Sequence, residues 1–441
     1  MDYTGLLVKS RNILIFEYFL VFILIIYGGN ASEFTWALEN WDNPIGFLLP
    51  ILSVMVLGFI KGIRFNQKYL VLLLGYTLYF VASTILFQEL HPRFFGIYII
   101  KFTIVYVVVS GLGVRLFKIY ENILYYLCII GIVFWLIMNI IPTSFIELLR
   151  NFEFSSQKTM SAVDFNTIIY TVGDFSLTTD YVMNFSGIQI FRNAGFAWEP
   201  GVFASFINLA IFFNLIINRF KLKSNKHLWV FLIALASTFS TTGYSLFVLL
   251  ALFYLYNQDF VKVFWLAPIV AVSVMFVFML PFMYEKISFD NKWTTEELVY
   301  RSAKYNISHF PQRFQSLQID FIDFMNHPLI GYGGHLEEAW TAKMGAKITT
   351  ISGIGGLMSQ FGIVGTLFFL ISLWVSSKQI IVSFNVRGTM FPVLFILLYA
   401  ISYSVFEILV MCVWLLYLSS FLKTEVIRRY IIHNIMHEKK D

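Results

Sequence analysis

The stretch FRNAGFAWEPGVFASFINLAIFF, residues 191–213, passes from a charged, glycine-containing segment into a long apolar run. Arg192 and Glu199 stand at the lip of what reads as a membrane helix, and a charge at that depth needs a partner or a purpose. The rest of the chain has the same character. Its 441 residues are 58% hydrophobic and 19% aromatic but only 13% charged, and the mean hydropathy is +0.74. A soluble domain does not read this way; the composition is that of an all-α polytopic integral membrane protein. The two cysteines, Cys128 and Cys412, both fall inside apolar runs. They read as small core residues, with no disulfide framework and no zinc spacing.

The apolar runs predict twelve transmembrane helices, at 13–29, 45–60, 69–87, 94–113, 122–141, 199–218, 228–240, 243–257, 262–284, 354–374, 391–405 and 408–422. Together they form a single transmembrane domain over 1–441. Lys9 and Arg11 precede the first run without a small-residue cleavage site, which reads as a retained span rather than a signal peptide. Basic residues then sort by side. Clusters such as Lys61, Arg64 and Lys68, Arg115 and Lys118, and Arg219, Lys221, Lys223 and Lys226 alternate with the acidic segment 30–44. The positive-inside rule puts both termini in the cytoplasm.

Two segments, 142–198 and 285–353, are long and external in this topology, which suggests work at the outer membrane surface. Within the second, Phe314, Leu317, Phe321 and Phe324 recur at helical spacing opposite Gln315, Gln318 and Asp320. They predict an amphipathic helix on the outer interface or capping a cavity. The run 228–240 rises only about 20 Å as a helix, against about 30 Å of hydrocarbon. The polar turn 237–245 is therefore expected to lie recessed, and the pair of runs around Ser404 and Glu407 turns in the same way.

Four segments resemble one family in order as well as in content. RNAGFAWEPGVFA (192–204) resembles an Arg-x-x-Gly-x-x-x-Glu-Pro element, and STFSTTGYSLFVLL (237–250) resembles the Ser/Thr-rich hairpin that follows it. RFQSLQIDFIDFMNHPLIGYG (313–333) resembles an arginine-bearing helix leading to a His-Pro-Leu-x-Gly-x-Gly turn. GIGGLMSQFGIVGTLFFL (353–370) resembles the Gly-x-x-Gly span after that loop. The family is the O-antigen ligase and polymerase superfamily of bacterial surface-polysaccharide proteins, and the resemblance covers about residues 185–375. It implies transfer of glycan, O-antigen or capsule, from an undecaprenyl-diphosphate carrier at the outer face of the bacterial cell (inner) membrane. A polymerase joins repeat units, whereas a ligase moves finished glycan to a lipid A core. Ligases, and some polymerases, carry a His-Asn pair where this chain has Ile351 and Ser352, a departure that points toward a polymerase.

Loss of a diphosphate leaves negative charge on its oxygens, which fixed guanidinium groups stabilise. Arg192 and Arg313 occupy the family's two arginine positions, with Arg301 as a third, less well matched cation. Arg192 also reads as an interfacial anchor, and Arg313 as part of a solvated helix face. Glu199 suits a helix start beside Pro200 and equally suits pairing with Arg192, with proton acceptance as an added role. His335, following a glycine-rich turn, is a candidate base or a solvated loop residue; Glu337, Glu338, His327 and His309 rank behind it.

Lys101, inside its span, either lines the cavity or snorkels, with Glu407 as a candidate partner. Tyr244 either bonds sugar hydroxyls or satisfies its own turn. No Asp-x-Asp and no cluster with ligand spacing occurs, so the chemistry is expected to be metal-independent, inverting and without a cofactor. The partners implied are the carrier-linked oligosaccharide, membrane lipid and a chain-length regulator; nothing points to nucleic acid. A flippase or transporter is the competing class, but no internal repeat of the kind it needs is found.

Overall fold

A computed structural model describes residues 11–29, 44–153, 163–173, 182–185, 188–258, 268, 293–309 and 311–405. The expected span 262–284, apart from residue 268, and the expected span 408–422, with Cys412 and Glu407, lie outside the described residues. The described chain is mostly helical. Among the described residues five helices are long and apolar enough to cross a membrane, and five shorter apolar helices accompany them. They occupy the positions that hydropathy marked. The described residues form two compact units, one within 11–63 and 107–250 and the other within 64–106 and 251–405.

The first unit is organised by α1 (Arg11–Gly29), α2 (Pro44–Lys61), the second part of α4 (Pro92–Leu112), α5 (Arg115–Ile140) and α6 (Pro142–Arg150). Helices α7 (Pro200–Ile217), α8 (Lys226–Thr238) and the first part of α9 (Thr241–Tyr256) complete its helical part. α7 starts at Pro200, whose missing N–H costs nothing in a first turn, and every residue from Pro200 to Ile216 is buried. A helix apolar all round belongs in such a core. The amide of Asn208 donates 2.8 Å to the Ala204 carbonyl and 2.9 Å to that of Gly243. A Cβ on Gly243 would come 2.4 Å from Ala204 Cβ, so small residues let α7 and α9 cross closely.

At one end of this unit two buried carboxylates are neutralised. Glu17 is fully buried and paired with Arg115 (2.6 Å) and Lys61 (2.9 Å). Glu121 meets Lys118, His227 and Asn214.

The first long segment is not all-α. After α6 it forms two antiparallel hairpins, β1 (Val163–Asn166) with β2 (Thr171–Gly173), and β3 (Val182–Phe185) with β4 (Ile188–Phe191). Phe145 and Leu149 of α6 pack with Met138, Phe165, Tyr170 and Val172 into a small core. Strands this short carry no alternation long enough to read, whereas the burial of α6 and Phe165 supplies the energy that orders them.

The second unit contains α3 (Gln67–Phe87), the first part of α4, α10 (Thr295–Tyr305), α11 (Arg313–Asn326), α12 (Gly353–Ser383) and α13 (Met390–Ala400). α11 has the expected amphipathic pattern. Phe314 and Phe321 are exposed, and Gln315, Ser316, Ile319, Asp320 and Asp323 turn inward. α12 is broken at Gly362 (φ 60°, ψ −163°), a conformation available essentially to glycine alone. The turn 327–335 enters the break. Tyr332 N–H and Gly333 N–H donate to Ser359 and Gln360 carbonyls, and Ile363 and Val364 N–H donate to Pro328 and Leu329, all at 2.8–3.2 Å. Tyr79 of α3 locks the joint by hydrogen-bonding the Ile330 and Gln360 carbonyls. A helix interrupted in an apolar setting must have its freed backbone groups satisfied by protein, and this turn does so.

Candidate functional site

Segment 191–195 of the first unit is held on three sides. Trp135 Nε1 donates to the Phe191 carbonyl (2.6 Å) and Asn139 Oδ1 accepts from Phe191 N–H (2.9 Å). Asn193 bonds the Ser237 carbonyl through its N–H (3.0 Å) and the Ser237 hydroxyl through its amide (2.9 Å). Gly195 C=O accepts from Thr171 N–H of β2 (2.7 Å). Gly195 has φ +52°, and a Cβ there would lie 2.7 Å from the Phe203 ring, so both backbone and space demand glycine.

Arg192 is buried on this frame, and its Nε donates 3.1 Å to the Thr238 carbonyl at the end of α8. A cation suits a helix C-terminus, and this bond fixes the guanidinium plane. Ser237, Thr238, Ser240 and Thr242 are buried, so the polar turn is enclosed by protein as its short helix requires. Tyr244 donates from its hydroxyl to the Ala236 carbonyl at 2.8 Å, the turn-satisfying role. Glu199 is the extended N-cap residue of α7, and its side chain caps no N–H. A depression lined by Arg192, Tyr170, Thr171 and Phe191 encloses only about 10 Å³, room for a single water.

In the second unit Arg313 opens α11. Its Nη2 lies 3.4 Å from the Tyr403 hydroxyl and its guanidinium stands 5.5 Å from that ring's centre. Gly353, first residue of α12, packs so closely on the Tyr403 carbonyl that no side chain fits. Ser352 caps α12 by accepting from Gly355 N–H (3.1 Å), and Ile351 N–H donates to Ser316 of α11 (3.2 Å). The Ile351-Ser352 position thus serves the helix start.

Arg301 does not join this group in the described residues. It donates twice to Glu297, one turn earlier, and lies over the Trp293 ring. Lys101 is buried with its ammonium 5.7 Å from the Tyr98 ring centre, which argues against snorkelling. His335 is 2% exposed, packed on Phe87 and His91. This corrects its reading as a solvated loop residue. Burial, then His91, pushes its pKa down.

No family model matches the chain, and no curated protein matches it.

Sequence reasoning passed over Asp320, read only as part of a polar face. Its carboxylate is 2% exposed and abuts Gly355 in the first turn of α12. Burial is the main cause raising its pKa to about 7; a Thr350 hydrogen bond opposes the shift and Asp323 adds to it. The folded chain therefore keeps a proton that the unfolded chain, with an ordinary value near 3.8, releases. Stability is fully present below about pH 4 and falls as pH rises toward 7, by up to about 4 kcal/mol for this shift. Asp320→Asn is expected to flatten that fall, so that the melting difference between pH 5 and pH 8 shrinks. An unchanged pH dependence would contradict the assignment.

Proposed function

We propose that the chain is a polysaccharide polymerase of the bacterial cell membrane, extending a carrier-linked glycan at the outer face. In this reading twelve spans leave both termini cytoplasmic and the segments 142–198 and 285–353 outside. The donor is an oligosaccharide on undecaprenyl diphosphate. The acceptor hydroxyl forms a new C–O bond at the anomeric carbon as the bond to the diphosphate oxygen breaks, with inversion. Arg192 and Arg313 stabilise the departing diphosphate, whose charge guanidinium pairs bidentately. Glu199 is assigned to hold Arg192, and the hydroxyl proton passes to solvent or to the released diphosphate. Because diphosphate is a good leaving group, positioning and electrostatics carry most of the barrier reduction. Arg301, Tyr244 and His335 have structural engagements and receive no chemical role here.

The observation that supports this reading is the pairing of motifs. Segments 192–204 and 237–250 are each other's packing partners through Arg192–Thr238, Asn193–Ser237 and Asn208–Gly243. Segments 313–333 and 353–370 interlock through Asp320 at Gly355 and through the turn inserted at Gly362. Residues that resemble one family in order thus form two physical joints. Deleting the gene in its host and separating surface glycan on a gel tests the reading. A single repeat unit replacing the ladder supports it. Carrier-bound long chains lacking lipid A attachment would indicate a ligase, and loss of any exported repeat would indicate a flippase.

A further inference from the structure

Two short turns of the second unit bring four metal-ligand side chains together. Glu89 and His91 lie between α3 and α4, and His335 and Glu337 follow the glycine turn that fills the α12 break. One donor atom from each lies within 4.8 Å of all the others. Glu337 Oε1 stands 3.3 Å from His91 Nε2 and 3.4 Å from His335 Nδ1, and Glu89 Oε1 stands 3.7 Å from the same His91 nitrogen.

Hydrogen bonding does not account for the arrangement. His335 is 2% exposed, yet its Nδ1 makes no hydrogen bond, and neither does the buried Nε2 of His91. The backbone holds these nitrogens in place: a Cβ on Gly333 would strike Ser83, and one on Gly334 would strike Phe94. The two carboxylates, by contrast, sit on the exposed side, where an ion enters and where they can close inward. Glu338 is occupied separately by Lys343 at 2.6 Å.

We infer that Glu89, His91, His335 and Glu337 form a binding site for a divalent, borderline-soft metal ion such as zinc. Two imidazoles and two carboxylates suit that class, and their charges balance the ion. Tetrahedral bonds of about 2.0–2.1 Å place ligand atoms about 3.3 Å apart, so closure requires only small movements of the exposed carboxylates. The ion would staple the 335–337 turn to the α3–α4 turn and so hold the plug of the α12 break. Its role is structural, and the proposed transfer stays independent of it.

The test uses the full chain in detergent, purified without a polyhistidine tag, stripped with chelator and titrated with Co²⁺ alone. The expected result is a visible d–d band of tetrahedral intensity, saturating at about one ion per chain and displaced by Zn²⁺. His91→Ala is expected to abolish the band. Glu89→Gln, at an exposed position, is expected to weaken binding at least about tenfold while leaving the metal-free melting temperature unchanged. Zn²⁺ should raise the melting temperature of the native chain and not of His91→Ala. Absence of the band in the native chain, or Co²⁺ binding as tight as the native chain's in Glu89→Gln and His91→Ala, overturns the site.

Discussion

Arg313→Ala is expected to lower chain extension by about 10²–10³-fold, the cost of removing one fixed donor from a developing oxyanion. Repeat-unit glycan should replace the ladder on a gel of cells carrying the variant, while the protein accumulates normally. Arg313 is the cleaner of the two arginines to remove. Its guanidinium is half-buried and rests on the Tyr403 ring and hydroxyl, whereas Arg192 is buried. Arg192→Ala should cost as much activity, but it also strips the Thr238 carbonyl of a partner, worth about 1–3 kcal/mol of stability. Arg192→Lys separates the two effects. A lysine restores a cation near α8 but not the bidentate fork, so stability should recover more than activity does. Ladders of normal length in both alanine variants would remove the arginines from the mechanism.

Gly362→Ala is expected to destroy the second unit's fold. At φ 60° and ψ −163° a non-glycine residue is strained by about 1–3 kcal/mol. The new Cβ would also stand 2.4 Å from the Leu329 carbonyl oxygen and 2.5 Å from Ile330 N, which are backbone atoms with no rotamer to escape through. Relief would require withdrawing the 327–335 turn, breaking four hydrogen bonds worth about 0.5–1.5 kcal/mol each. Gly356→Ala is the control, being helical with open space around its Cβ. In detergent extracts, the monodisperse peak on gel filtration should vanish for Gly362→Ala and persist for Gly356→Ala. Equal peaks would show that the interlock is not what holds the unit.

Helix positions were legible because long apolar runs are a strong and local signal, and Pro200 marks a start through its own chemistry. The enclosed turn after α8 was legible too, since its helix is too short to leave it in headgroups. The β hairpins were not, because three- and four-residue strands depend on packing supplied by α6. Neither was the break in α12. A glycine at 362 between apolar residues looks like any small helical residue until the inserted turn shows why it must be there. Asp320 was visible only as one polar residue on a striped helix. Its burial comes from α12, more than thirty residues on. Glu89 with His91, and His335 with Glu337, are each a lone pair, Glu-Leu-His and His-Leu-Glu, too small to read as a ligand cluster. Nearly 250 residues separate them, and only the meeting of two turns makes them one cluster.

The most direct measurement is to incubate the purified protein with a synthetic undecaprenyl-diphosphate-linked repeat unit, with no lipid A present, and to follow product length by mass spectrometry. Products lengthened by whole repeats, with release of undecaprenyl diphosphate and loss of both in Arg313→Ala, are the expected result. A repeat unit returned unchanged by the native chain would contradict the account.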